Sequence, residues 1–136
     1  MTKIKKIDYI FAVGRRKESS ARVRLYHGKA ESTVNGMLAN KYFPGELAAK
    51  MIAKPFGATE TSDKYYFSAK VAGGGKEGQL SALTLGLSRT LVKVSQEKNK
   101  TVLKKLNLLT RDSRIRQRRM VGKGGKARRA KQSPKR

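Results

Sequence analysis

The stretch Tyr65-Tyr-Phe-Ser-Ala-Lys-Val-Ala-Gly-Gly-Gly-Lys-Glu-Gly-Gln-Leu80 decides the fold of this 136-residue chain. Every second residue from Tyr65 to Val71 is apolar, and this alternation predicts a half-buried β-strand. Three consecutive glycines then end the strand, and residues 76–96 carry leucines and a valine at helical spacing. A strand, a glycine turn and a long helix in direct succession predict a sheet that is packed on one side by a helix.

Three shorter strands are predicted upstream of this unit. Residues 9–13 form a β-rich apolar run that stops at Gly14, and residues 22–26 alternate with Val23 and Leu25 on one face. Residues 31–34 read as a third strand, closed by the turn dipeptide Asn35-Gly36. These three strands are predicted to form an antiparallel meander.

The remaining segments favour helices. Residues 37–43 suit one or two helical turns before Pro44, and a helix is predicted from Glu46 to the residue before Pro55. Its apolar stripe comprises Leu47, Ala48, Met51 and Ile52. A last helix over residues 99–109 repeats Val102, Leu106 and Leu109. The order β-β-β-α-β-α-α predicts an α+β fold, a two-layer α/β sandwich in which helices pack a small mixed four-stranded sheet.

Residues 111–136 form a basic tail that differs from the rest of the chain. The tail holds twelve Lys or Arg and one acid, Asp112, so that its net charge is +11 of the total of +24. It has few apolar residues with which to form a core, and we predict that it is extended, and disordered when the protein is free. The chain is therefore divided into a globular domain, residues 1–110, and this C-terminal tail.

The composition excludes several classes of function. The chain has no cysteine, and a lone His27 without clustered acids cannot form a metal site, so neither a metal nor another cofactor is predicted. The nine acids are scattered, which leaves no carboxylate pair and no activated nucleophile, and we do not expect an enzyme or a small-molecule substrate. No signal peptide or membrane-spanning run occurs, which allows a cytosolic chain.

The glycine turn also permits a nucleotide-binding interpretation. Residues 73–78 match G-x-G-x-x-G between a strand and a helix, but the fingerprint requires a second parallel strand that the downstream helical spacing does not offer. We favour a sharp backbone turn, in which N–H groups at the helix start, with Lys76 beside them, suit a nucleic-acid phosphate.

Five cations near the first two strands indicate a polyanionic partner. Arg15, Arg16, Lys17, Arg22 and Arg24 are offset only by Glu18, whereas an ordinary solvated face mixes both signs. We predict nucleic-acid binding, and we predict core packing rather than base stacking for residues 65–67. The alternatives are a histone-like DNA-binding protein, a nucleotide-dependent enzyme and a membrane-surface protein, the last of which lacks a basic amphipathic helix with large apolar residues.

Seven segments, in order and spacing, resemble the bacterial form of the ninth protein of the small ribosomal subunit. They are Gly14-Arg-Arg-Lys-Glu-Ser-Ser-Ala-Arg-Val-Arg-Leu25, Val34-Asn-Gly36, Tyr42-Phe-Pro44, Gly73-Gly-Gly-Lys-Glu-Gly-Gln79 with Arg89, Leu109-Thr-Arg-Asp-Ser-Arg114, Ala127-Arg-Arg129 and Lys135-Arg136. The chain departs from the family at Pro134, where a serine is usual.

This resemblance implies a fold like the second domain of ribosomal protein S-five, held by ribosomal RNA on the head of the small subunit beside other head proteins. It implies that the tail runs through the RNA and that its tip, Lys135-Arg136, reaches the peptidyl-site transfer RNA, in a cytoplasmic or organellar ribosome. The residues expected to bind ribosomal RNA are Arg15, Arg16, Lys17, Arg22, Arg24, Lys76, Arg89, Arg111, Arg114, Arg116, Arg118, Arg119, Lys123, Lys126, Arg128, Arg129 and Lys131.

Overall fold

A computed structural model of the chain describes residues 8–133. The tail tip, with Pro134, Lys135 and Arg136, lies outside the described residues. The elements, in chain order, are β1 (Ile10–Arg16), β2 (Ser19–His27), β3 (Thr33–Val34), β4 (Met37–Leu38), α1 (Ala39–Tyr42), α2 (Glu46–Ala58), β5 (Tyr65–Ala72), α3 (Lys76–Val94) and α4 (Gln96–Lys105). The predicted α+β class is confirmed, with one mixed sheet and its helices.

The sheet has the strand order β1-β2-β5-β3-β4, so the predicted meander of the first three strands is wrong. β1, β2 and β5 pair antiparallel, whereas β3 runs parallel to β5. A parallel pair needs a crossover connection, and α2 supplies it between β4 and β5. Residues Met37–Leu38, predicted to be helical, instead form β4 opposite β3, which makes the sheet five-stranded rather than four-stranded.

The Asn35-Gly36 turn also links the β3–β4 hairpin to β5 through the side chain of Asn35. Both residues have positive φ, 51° and 79°, as a two-residue hairpin requires. The Asn35 amide donates to the Val71 carbonyl through Nδ2 at 2.9 Å and accepts from the Val71 N–H through Oδ1 at 2.8 Å. The side chain thus continues the hydrogen bonding of β3 along β5 after β3 has ended.

The core lies between one face of the sheet and α3. Val23, Leu25 and Phe67 meet Leu83 and Leu87, and each of these five residues is almost completely buried. The predicted faces of β2 and of β5 are confirmed, because Arg22, Arg24 and Lys70 alternate with these residues and are exposed. No helix within residues 8–133 lies on the opposite face of the sheet.

Gly14 does not end β1, as was predicted, but lies inside it. A Cβ atom at Gly14 would overlap the backbone of Ala82, and one at Gly86 would lie 2.7 Å from Val23 Cγ2. The two glycines therefore let α3 approach β1 and β2 at backbone contact distance. The strand continues past Gly14 through Arg15 and Arg16 to a turn at Lys17.

The predicted end of α2 is wrong, because Pro55 lies inside the helix. Pro55 and its neighbour Phe56 are buried, and their packing outweighs the one backbone hydrogen bond that the proline removes. The predicted stripe is partly wrong too, since Leu47 is 73% exposed while Ala48 is buried.

The last two helices are shifted from their predicted bounds of 76–96 and 99–109. α3 ends at Val94 and α4 already begins at Gln96. The buried Asn99 donates from Nδ2 to the Leu91 carbonyl at 2.7 Å, as a second donor beside the Ser95 N–H at the end of α3. Leu103 is buried in the core, whereas Val102 and Leu106 of the predicted stripe are exposed and only Leu109, the third member of that stripe, packs partly against the core.

Candidate nucleic-acid interface

The helix-free side of the sheet, which we call the open face, gathers most of the cations predicted from β1 and β2. Strand alternation places Arg15, Arg22 and Arg24 on this face, and all three are exposed. Lys70 on β5 pairs directly with Arg22 and adds a fourth cation, which was not among the predicted site residues although the alternation of β5 predicts its exposure. No strand residue of the open face is acidic.

Three tyrosines lie side by side on the open face: Tyr26 on β2, Tyr66 on β5 and Tyr9 just before β1. The rings of Tyr26 and Tyr66 are stacked with centroids 5.1 Å apart and planes inclined by 16°, and Tyr9 meets the other side of Tyr26 at 5.8 Å. Arg24 lies over Tyr9, with Cζ 4.9 Å from the ring centroid. The core-packing prediction for residues 65–67 holds for Phe67, but Tyr66 belongs to the open face.

Arg16 lies apart from the other predicted cations because it faces the helix side of the sheet, where the tail begins. Its Nη1 donates to the Arg114 carbonyl at 2.7 Å, and its Nη2 lies 3.4 Å from Asp112 Oδ2. Arg114 in turn binds the same carboxylate through Nε and Nη2, at 3.0 Å and 2.8 Å. We call Arg16, Asp112 and Arg114 the tail clip.

The tail clip changes the titration of its members. The side-chain hydrogen bonds of Arg114, followed by its backbone N–H, hold the pKa of Asp112 well below its ordinary range. Asp112 in turn raises the pKa of Arg114 by accepting those hydrogen bonds. The carboxylate is therefore ionised throughout the physiological range, and the one acid of the tail is already matched with cations of the chain itself.

Arg89 and Lys93 on α3 bind the outer edge of β1. Arg89 Nη1 donates to the Val13 carbonyl at 2.7 Å, and Lys93 Nζ donates to the Phe11 carbonyl at 2.6 Å. Arg89, predicted as an RNA-binding residue, thus has one intramolecular partner and retains further N–H groups.

At the turn between β5 and α3, Gly73 and Gly74 have φ values of 77° and 59°, which confirms the predicted sharp turn. After α3 the chain enters α4 rather than a second parallel strand, so the context that a dinucleotide fingerprint requires is missing. Lys76 folds back, with Nζ 3.3 Å from the ring centroid of Tyr42 and 3.3 Å from the Tyr42 carbonyl oxygen.

Beyond the clip, the tail is exposed and has no helix or strand as far as Ser133. No ion pair with an acid is found within residues 8–133 for its remaining predicted RNA-binding cations. These are Arg111, Arg116, Arg118, Arg119, Lys123, Lys126, Arg128, Arg129 and Lys131. The predicted transfer-RNA contacts, Lys135 and Arg136, lie outside the described residues.

His27 is the last residue of β2, and its ring meets Tyr65 edge to face with centroids 5.3 Å apart. Within the described part of the chain, no group of three or more potential metal ligands comes together. No helix in that part is both long and apolar enough to cross a bilayer.

Known proteins resemble this chain over most of its length. The sequence pattern of the family described as ribosomal protein S9/S16 matches residues 14–136. The small ribosomal subunit protein uS9 of Leifsonia xyli subsp. xyli is 44% identical over 125 residues, which cover 92% of this chain and 74% of the relative. The proteins of the same name from Pseudarthrobacter chlorophenolicus and Cutibacterium acnes are 42% and 40% identical, over 92% of this chain and 74% and 72% of their own lengths.

The fold, the basic tail and these similarities agree with one another. Ribosomal proteins of this kind are structural components and not enzymes, as the scattered acids predicted. The chain therefore belongs to the ribosomal protein S9/S16 family.

Proposed function

We propose that this protein is a structural constituent of the small ribosomal subunit of cytoplasmic ribosomes. It binds ribosomal RNA in the subunit head, beside neighbouring head proteins, and extends its tail to the peptidyl-site transfer RNA during translation. The names of its relatives support the subunit assignment. The RNA contacts are supported by the charge of the chain and by its distribution in the structure.

The observation that carries this proposal is that, as far as Ser133, Asp112 is the one acid with which the tail forms an ion pair. Asp112 is bound in the tail clip, and the cations that follow it are exposed as far as Lys131. An extended cationic segment of this kind is destabilised in water by repulsion among its own charges, and it is stabilised beside a polyanion. The tail clip fixes the point at which the tail leaves the domain. The domain therefore serves as the anchor and the tail as the extension.

The two parts contact RNA in different ways. The domain offers Arg15, Lys17, Arg22 and Arg24 on or beside the open face, with Lys76 and Arg89 near the two ends of α3. Arg16 and Arg114 contribute the N–H groups that the tail clip leaves free, and the side chain of Arg114 is 85% exposed. The tail cations neutralise phosphates along its path.

The salt dependence of binding tests the charge mechanism. Each phosphate contact releases counterions, so a tail of this charge gives a slope of log affinity against log salt of roughly −8 to −11. We would measure affinity for small-subunit ribosomal RNA and for duplex DNA of equal length. Cosedimentation with the small subunit after DNase treatment is expected, whereas loss of the protein with the DNA would favour a histone-like protein.

The tip requires its own test, because its proposed role rests on the family resemblance. Deleting Lys135 and Arg136 should leave assembly into the subunit intact and weaken retention of transfer RNA in the peptidyl site. Unchanged retention would contradict the contact. Replacing Arg128 and Arg129 by glutamine, which removes the same charge further up the tail, serves as the control.

A further inference from the structure

The open face combines fixed aromatic rings with cations and has no acid on its strands. Arg15, Arg22, Arg24 and Lys70 lie on it, and Tyr9 and Phe11 are 47% and 41% exposed. A hydrophobic protein partner would leave these four charges without counter-charges. The charge therefore favours a polyanion as the occupant of this face.

The arrangement of the tyrosines determines which of their groups can contact a nucleic acid. Tyr26 is enclosed between Tyr9 and Tyr66, at centroid distances of 5.8 Å and 5.1 Å. When rings on adjacent strands stack at this distance, each ring plane is roughly perpendicular to the line that joins the two strands. The rings therefore project away from the sheet with their edges outward. One face of Tyr26 is thus covered by the stacked ring of Tyr66, and the other meets the ring of Tyr9 at an angle of 55°. Tyr26 therefore has no free face on which a nucleobase could stack, as binding of a single strand requires.

With both of its faces in contact, Tyr26 can offer a nucleic acid only its edge and its hydroxyl group, and Tyr66, which is stacked on it, carries a second hydroxyl group. Among residues 8–133, the hydroxyls of Tyr9, Tyr26 and Tyr66 have no hydrogen-bond partner. A phenol hydroxyl both donates and accepts, as does the ribose 2′-hydroxyl. The wide, shallow minor groove of an RNA double helix displays a row of 2′-hydroxyls flanked by phosphates, which matches a row of hydroxyls flanked by guanidinium groups.

We infer that the open face docks the minor groove of an RNA double helix. The Tyr26 and Tyr66 hydroxyls bind 2′-hydroxyls there, and Arg22, Arg24 and Lys70 bind the phosphates at its sides. Phe11, whose ring is exposed next to Arg24, packs against a ribose. The inference rests on the proposed function, since the double helix would belong to the ribosomal RNA.

The test compares RNA with DNA, because only RNA carries the 2′-hydroxyl. The full chain would be titrated with an RNA duplex of about 16 base pairs and with a DNA duplex of the same sequence. The double variant Tyr26→Phe, Tyr66→Phe retains both rings and removes both hydroxyls. We expect it to bind the RNA duplex roughly fivefold to 150-fold more weakly, at the usual worth of two hydrogen bonds, with DNA affinity unchanged.

Tyr65→Phe is the matched control, because Tyr65 is the next residue on β5 but lies on the helix side of the sheet. It should leave both affinities unchanged. Unchanged RNA affinity in the double variant, an equal loss on DNA, or tighter binding to single-stranded RNA would each overturn the inference. If the chain does not bind small-subunit ribosomal RNA at all, the proposed function fails with it; if only the double variant has no effect, the proposed function stands.

A cross-link in the assembled subunit identifies the occupant directly. The chain has no cysteine, so Ser68→Cys, in the middle of the open face, provides a unique site for a photoreactive probe. We expect a cross-link to ribosomal RNA. A cross-link to a protein, or none to RNA, would overturn the inference; Ala49→Cys, exposed on α2, reports the background.

Discussion

Arg16 and Asp112 lie 96 residues apart in the chain, yet their side chains meet at 3.4 Å where the tail leaves the domain. The contact joins the end of β1 to the first residues after the core. Because this contact holds the first residues of the tail against β1, the tail leaves the domain in one direction before any RNA is present.

Replacing Asp112 by asparagine should release the root of the tail. Asparagine keeps the shape but not the charge that Arg16 and Arg114 share, so the residues around Arg114 should become more accessible. We expect faster trypsin cleavage after Arg114 and faster hydrogen exchange of its backbone N–H, with the melting temperature of the domain nearly unchanged. Ser113→Ala, which alters the same segment without touching the tail clip, is the control, and equal cleavage in both variants would contradict the role of Asp112.

The tail clip should persist in acid. The hydrogen bonds from Arg114 lower the pKa of Asp112, so the clip is stabilised at every pH above the ordinary aspartate pKa of about 3.9 and is lost only as the pH falls through the lower, folded-state value. The carboxyl carbon of Asp112, followed by nuclear magnetic resonance, should keep its ionised shift at pH 4. A midpoint at the ordinary value would show that Arg114 does not bind it in solution.

Asn35→Ala should destabilise the domain by about 1–2 kcal/mol, because it removes two hydrogen bonds that are only partly buried. It also places alanine at a φ of 51°, which favours asparagine or glycine. Urea unfolding followed by circular dichroism measures the change. Asn40→Ala, at an exposed position of α1, should have a much smaller effect.

Gly14→Ala and Gly57→Ala should change stability in opposite directions. The first places a methyl group on the backbone of Ala82 and should cost about 3 kcal/mol or more, as overpacking between two backbones does. The second adds a methyl group in open space within α2 and should stabilise the domain by up to about 1 kcal/mol, at helix propensity values. Thermal unfolding distinguishes them, and a neutral Gly14→Ala would show that α3 packs less closely than described.

Replacing both Arg128 and Arg129 by glutamine should reduce the steepness of the salt dependence of RNA binding. Both are exposed and unpaired with acids in the described chain, and under the proposed function each would bind one phosphate. The slope should become less negative by roughly 1.4 to 1.8. The same change at Lys54 and Lys64, which lie on the domain, should affect the slope less.

The local sequence pattern predicted where the helices and strands lie better than it predicted which of them pair or pack together. The alternation over β5 gave its bounds, because strand faces depend only on neighbouring residues. The parallel pairing of β3 with β5 was missed, since it depends on the α2 crossover and on the Asn35 side chain reaching Val71. Leu103 was missed for a similar reason, because the contact of Asn99 with the end of α3 sets the rotation of α4.

The same limit applies to the interface. Charge alone indicated Arg22 and Arg24, which are on the open face, but it placed Arg16 with them although that residue faces the opposite side. Nothing local in the sequence joins Arg16 to Asp112, and the stack of Tyr26 on Tyr66 follows from strand register rather than from spacing.

The hydrogen bonds of Arg89 and Lys93 to the carbonyls of Val13 and Phe11 have a consequence for the protein before it meets RNA. β1 is the outer strand of the sheet, and such a strand is a template onto which another chain can add by backbone pairing. Two long cationic side chains now occupy the acceptors that an added strand would need. A newly made copy is thereby protected from joining another copy edge to edge while it waits for its place in the ribosome.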